Sequence, residues 1–382
     1  MKKPLVIIGS GHAGYTLARA FRQHDVTTPV VILTEDGGEH YPKPQLSHGF
    51  SHQTSAAQLV QNHATGMAAE LKVMVRPHTR VSAIDFTNRK VIAGEVQIPY
   101  SDLVLAVGAE PFVPPIGGDG AADILTLNNL EQYRRYLDKL NQSEHVLVIG
   151  GGLIGTEIAH DIAQHKAVTL VDIGSRLLER LVPEVVSHRL HDVMDQITLR
   201  FDTGVERIDK MDKGYRVTLA DGDTLTADAV ICAAGLKPRL ELAAGLATQR
   251  GIVVDAHLRT SQPHVYALGD CAEIEGQILP FLQPITLSAN ALAATLAGTP
   301  TPVRFGPLPV AVKTPRYPIQ LAGLTQGSAL EWRISEGDDG LTALAHHGEQ
   351  LVGYVTTGTR NGFSLLPKLA RREPVAQTPP AA

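Results

Sequence analysis

Gly9, Gly11 and Gly14 follow the apolar run Leu5-Val6-Ile7-Ile8, and Gly150, Gly152 and Gly155 follow a second run, Val146-Leu147-Val148-Ile149. A pyrophosphate needs backbone N–H groups at a helix N-terminus, and side chains would block its approach. The first glycine of such a set makes the turn, the second admits the pyrophosphate and the third lets helix pack on strand. An acid at the end of the next strand then holds a ribose. "VVILTED" offers Glu35 or Asp36 for the first loop, and "VTLVD" offers Asp172 for the second. The carboxylate of Asp172 repels a 2′-phosphate, which favours NADH over NADPH, and Arg176 four residues on leaves weak NADPH use open. Two dinucleotides on one chain point to electron transfer between a nicotinamide and a flavin.

Other redox and metal chemistries find little support. Cys232 and Cys271 are the only two cysteines, 39 positions apart, and both read as small core residues. Sixteen histidines are present, but no HExxH and no Cys-x-x-Cys occurs, so no metal is expected.

The elements that must position these residues alternate buried strand with amphipathic helix, the pattern of a parallel α/β protein. Residues 4–9 read as strand, 12–24 as helix and 29–34 as strand, and the same order returns at 145–150, 153–165 and 167–172. Ile154, Ile158 and Ile162 fall four apart, on one helix face. "LVLAVG" (103–108), "DAVICAAG" (228–235) and "HVYALGDCAE" (264–273) read as further strands, and an alanine-rich helix is expected over 286–297. A length of 382 residues suggests two or three domains. A net charge of −5 argues against nucleic acid as a main partner. No apolar stretch is long enough for a membrane span, and no secretory signal is read, because Gly9 and Gly11 cut the first apolar run short. With so few cysteines, a cytoplasmic location is expected.

Over nearly its whole length the chain resembles the FAD-dependent pyridine nucleotide reductases. "LVLAVGAEP" (103–111) is similar to their ATG strand, with Val107 where Thr is usual, and "VYALGDCAE" (265–273) is similar to their flavin-binding GD motif. "YPKPQLSHGF" (41–50), "LPFLQPITLSA" (279–289) and "VKTP" (312–315) narrow the resemblance to the rubredoxin–NAD reductase type.

The resemblance implies two Rossmann-like domains. An FAD domain over 1–109 and 232–300 is interrupted by an NAD domain over 110–231. A small α+β domain over 301–370 and a disordered tail over 371–382 follow. It implies FAD contacts from Gly9, Ser10, Gly11, His12, Ala13, Gly14, Glu35, Asp36, Gly108, Gly269 and Asp270, and through the backbone of Val81. Leu282 and Lys313 would lie near the isoalloxazine ring. NADH contacts would come from Gly150, Gly152, Leu153, Ile154, Gly155, Asp172 and Gly235. Lys43, set between two prolines, would face the flavin and favour its reduced, anionic form. Glu157, expected on the first turn of its helix, would reach the flavin edge and pair with Lys43.

Related thiol-dependent enzymes carry a cysteine near residues 41–50, where this chain has Ser47 and His48. Electrons would therefore leave the flavin for an outside acceptor. That acceptor would be a rubredoxin or the rubredoxin domain of a flavorubredoxin serving nitric oxide reduction. Lys43, Lys313, Arg316 and a cluster of Lys368, Arg371 and Arg372 would form a local basic dock on a monomer or weak dimer. The alternatives are a ferredoxin reductase of a dioxygenase or P450 system, and an NADH-sensing interaction protein on the same fold.

Overall fold

The computed structural model describes residues 2–370; the tail over 371–382, and with it Arg371 and Arg372, lies outside the described residues. The chain forms two compact units. One comprises the chain up to Lys43, then Ala57–Glu110 and Leu236–Phe305. The other comprises Pro44–Ala56, Pro111–Gly235 and the chain from Gly306 onward.

The first unit is built on a five-stranded sheet. Strand β1 (Leu5–Ile8) leads into helix α1 (His12–His24) and then β2 (Val30–Leu33); β3 (Met74–Arg76) and β4 (Asp102–Leu105) follow. In space the order is Val265–Ala267, β4, β1, β2, β3, with every pairing parallel. All four residues of β1 are buried, as are all four of β2, as a sheet covered on both faces requires. Helix α1 covers one face through Ala13, Leu17 and Phe21, spaced four apart, with Ala18 beside them. The helix Leu282–Leu296 begins four residues before the expected 286 and carries buried Ile285, Ala289 and Leu292 into the same core.

In the second unit, α2 (Leu130–Asn141) precedes β5 (His145–Ile149), α3 (Leu153–Ile162), β6 (Ala167–Val171), β7 (Ile197–Arg200) and β8 (Ala229–Cys232). The order β7–β6–β5–β8 is again all parallel. Ile158 and Ile162 of α3 are buried, but Ile154 is 36% exposed, so the expected three-isoleucine face breaks at the first helical turn. A separate five-stranded antiparallel sheet is formed by the strands between Val310 and Thr357.

Candidate dinucleotide-binding sites

Both glycine loops have the backbone that their spacing foretells. Gly9 adopts φ +114°, and a side chain there would strike the Ala106 carbonyl. Its N–H donates to Leu33 O at 2.8 Å, which ties the loop to the next strand. A Cβ on Gly14 would lie 2.0 Å from Gly9 O, so only glycine lets α1 start this close to β1. Gly11 differs: a Cβ there meets nothing within 4 Å. The second loop repeats each feature. Gly150 has φ +108°, a Cβ on Gly155 would lie 1.9 Å from Gly150 O, and Gly152 opens on empty space.

Neither α1 nor α3 has a side-chain cap or an acid in its first turn. Their leading N–H groups and dipoles are therefore left for an outside anion. This is the cradle that a dinucleotide pyrophosphate fits, one in each unit.

The acids after the second strands are placed differently. Asp36 is absorbed locally: it accepts from Ser10 Oγ at 3.2 Å and from Gly38 N at 3.1 Å. Glu35 pairs with Arg239 and keeps 48% of its side chain exposed. Asp172 accepts from Gly174 N at 2.6 Å and from Gly151 N within the glycine loop itself. Arg176 turns away into its own loop, donating to the carbonyls of Glu179 and Val182 and pairing with the Glu179 carboxylate. It is thereby engaged elsewhere and does not wait for a 2′-phosphate. Ile173, beside Asp172, is 75% exposed.

Within the first unit, Lys43 and Asp270 influence each other. Burial lowers the Lys43 ammonium below its ordinary value, against the pull of Asp270, and Arg239 lowers it further. Burial raises Asp270, against Lys43 and His12. Gly269 has φ +83°, and a Cβ there would approach Ala13 Cβ to 2.9 Å, so the turn that carries Asp270 rests on the start of α1. Val81 is buried in the core of this unit, whereas Leu282 is 44% exposed and is therefore not a core residue.

Within the second unit, Glu157 is buried and lies in the second turn of α3, not the first. The helix dipole, which fades beyond the first turn, is not what holds it there. Its two oxygens are held by directed donors: Ser47 Oγ at 2.8 Å and the backbone N of Lys313 at 2.8 Å. One turn on, buried Asp161 accepts from Phe50 N at 3.0 Å and from the Ser51 hydroxyl. Burial raises the Asp161 carboxyl, while the Ser51 and Phe50 donors oppose that shift. Tyr133 on α2 donates to Thr54 O at 2.7 Å. Three side chains thus pin the stretch 44–56. Asp161 and Tyr133 were not anticipated from the sequence; the Glu157–Asp161 spacing of four, which sets two acids one turn apart on the same helix, was the available signal.

The cysteines occupy separate cores. Cys232 Sγ lies 3.5 Å from Phe112 O, and Cys271 Sγ lies 3.4 Å from Leu105 O. Burial raises both thiols, Cys271 to about 11, so neither is a thiolate at neutral pH. Among the described residues no cluster could hold a metal ion, and no helix is long and apolar enough to cross a membrane.

Comparison with known proteins places this geometry. The model of the pyridine nucleotide-disulphide oxidoreductases matches residues 3–295. The chain belongs to the pyridine nucleotide-disulphide oxidoreductase family. A second model, of a rubredoxin binding C-terminal domain, matches residues 302–367. A nitric oxide reductase FlRd-NAD(+) reductase from Aliivibrio fischeri is 45% identical over 97% of this chain and 99% of its own length. One from Vibrio vulnificus is 44% identical over the same shares. Among solved structures, the ferredoxin reductase for the CYP199A2 system of Rhodopseudomonas palustris is 27% identical. It superposes with a TM-score of 0.86 over 93% of this chain and 91% of that one. The covalent putidaredoxin reductase–putidaredoxin complex gives 0.87 at 25% identity, over 97% and 92%. As a pyridine nucleotide-disulphide oxidoreductase the chain is a flavoprotein of the FAD and NADH type, yet it keeps no cysteine in the 41–50 segment.

Proposed function

We propose that this protein is an NADH-dependent FAD reductase that delivers electrons to a rubredoxin-type iron centre, either rubredoxin or the rubredoxin domain of a flavorubredoxin. The match of residues 302–367 to a rubredoxin binding domain carries the choice of acceptor. The 45% identity to a nitric oxide reductase FlRd-NAD(+) reductase supports a place in nitric oxide reduction. Bound FAD supplies the exchange between a two-electron nicotinamide donor and a one-electron iron acceptor.

The residues divide the work. In the first unit Gly9, Ser10, Gly11, His12, Ala13 and Gly14 receive the FAD pyrophosphate, with Gly108, Val81, Gly269 and Asp270 around the rest of the dinucleotide. Glu35 is the better candidate for the ribose, because its carboxylate, though paired with Arg239, keeps 48% of its side chain exposed, whereas Asp36 accepts from Ser10 and Gly38 within its own turn. Gly150, Gly152, Leu153, Ile154 and Gly155 receive NADH, with Asp172 on the ribose and Gly235 beyond. Lys43 supplies positive charge in a desolvated setting, where it acts more strongly than in water. Glu157 is kept in one orientation by Ser47 and Lys313. No thiol takes part, and two buried free thiols suit a reducing cytoplasm.

Reduction of a rubredoxin and of a [2Fe–2S] ferredoxin by the same purified protein, with NADH as donor, tests this reading. Rubredoxin should be reduced at least tenfold faster. A preference for the ferredoxin would select the alternative that the 27% identity to a P450-system ferredoxin reductase favours.

A further inference from the structure

The loop that follows Asp172 runs back to the second glycine loop and is held there. Leu177 and Leu178 are buried, and Leu178 N donates to Gly151 O at 2.8 Å. Leu178 takes φ +53°, a left-handed backbone that a leucine keeps only where its surroundings enforce it. Gln326 Nε2 adds a second hold, donating to Glu179 O at 3.1 Å. Glu179 therefore has a fixed place. Its carboxylate accepts from Ser175 Oγ at 2.9 Å and from Ser175 N at 3.3 Å, and it pairs with Arg176 Nη1 at 3.4 Å. A Cβ on Gly174 would strike Glu179 Oε2 and would lie 2.8 Å from Asp172 Oδ1, so the two carboxylates flank the same glycine. Arg176 is the first basic residue after Asp172. With the Arg176 side chain 21% exposed and that of Glu179 40%, their ion pair adds little to stability. Its consequence is for the charge that the loop offers to a ligand.

We propose that Glu179 is a specificity-determining residue for the nucleotide, acting by withholding Arg176 from the 2′-position of the ribose. The inference rests on the reading that places that ribose at Asp172. A 2′-phosphate carries a charge of about −1.5 to −2 at pH 7 and needs a guanidinium or ammonium partner. Glu179 occupies the guanidinium that stands closest in the chain and sets a second negative charge beside Asp172. A 2′-hydroxyl needs no cation, so NADH is received without one. The acid at the end of β6 thus accepts the hydroxyl, and the acid seven residues on disarms the arginine between them.

The test measures kcat/KM for NADPH and NADH with a small dye as acceptor, on holoenzymes whose bound FAD confirms that they are intact. Glu179→Gln keeps the acceptor for Ser175 and removes the charge. NADPH use should rise at least about tenfold, through KM, while NADH use stays within about threefold. Glu179→Ala should behave alike. Adding Arg176→Ala to either variant should abolish the gain. Adenosine 2′,5′-bisphosphate, compared with 5′-AMP as a competitor of NADH, reads the same choice at the level of binding: it should bind more weakly than 5′-AMP to wild type and more tightly to Glu179→Gln. An intact Glu179→Gln enzyme with no gain would overturn the proposal. So would a gain that survives the loss of Arg176, which would leave charge repulsion as the whole effect. A wild type that prefers NADPH would instead overturn the placing of the ribose at Asp172.

Discussion

The Glu157 carboxylate and the Ser47 hydroxyl, 110 residues apart in sequence, are joined by a 2.8 Å hydrogen bond inside one unit. The 41–50 segment, which has no cysteine, is thus fastened through a serine to the helix that starts at the second glycine loop. Ser47→Ala would leave one buried carboxylate oxygen without its donor, a loss of about 1–3 kcal/mol. Denaturant unfolding should show that loss. Bound FAD should be retained, because Ser47 is not among the residues proposed to hold FAD. Unchanged stability would mean that the hydrogen bond is replaced by water.

Asp172→Ala removes the acceptor for Gly151 N and Gly174 N together with the proposed ribose partner. NADH affinity should fall by about ten- to a hundredfold, and the gap to NADPH should narrow. Arg176→Ala should not weaken NADPH use, because Arg176 is engaged by Glu179 and Val182. Steady-state kinetics with both nucleotides measures each outcome. A wild type that prefers NADPH would refute the role given to Asp172.

Lys43→Met should make the flavin midpoint potential more negative, since a cation favours the reduced anion. A shift of about 30 mV corresponds to ~1.4 kcal/mol for a two-electron couple. Lys43→Arg should restore most of it. Spectroelectrochemical titration of the holoenzyme reads both, and equal potentials in all three proteins would remove Lys43 from the flavin site.

Replacing Cys232 and Cys271 together by alanine should leave rubredoxin reduction within about twofold of wild type, because both thiols are buried and protonated. Some loss of stability is expected from the small cavities. Lost turnover with FAD still bound would reveal thiol chemistry.

Rubredoxin reduction should slow with added salt as the Debye length falls from ~30 to ~10 Å, while reduction of a small neutral quinone barely changes. Of the cations expected to form the dock, Lys313 Nζ donates to Pro44 O at 3.2 Å and Arg316 pairs with Asp195 at 3.1 Å. Arg316 is therefore partly neutralised and Lys43 is desolvated, so Lys368 becomes the residue to change first. Equal salt dependence for both acceptors would exclude an electrostatic dock.

The sequence by itself determined the two glycine cradles, their strands and helices, and the absence of a thiol pair. These depend on neighbours within about thirty residues, through apolar periodicity and the backbone freedom of glycine. It even placed α1 at His12–His24 to the residue. It could not tell Glu35 from Asp36, because that choice depends on which carboxylate Ser10 and Gly38 already occupy and on the distant Arg239. The holds of Glu157 and of Asp161 on the stretch 44–56 were decided by tertiary structure alone. Each depends on which donors long-range packing brings within 3–3.5 Å of a side chain, and residue spacing along the chain carries no record of that distance.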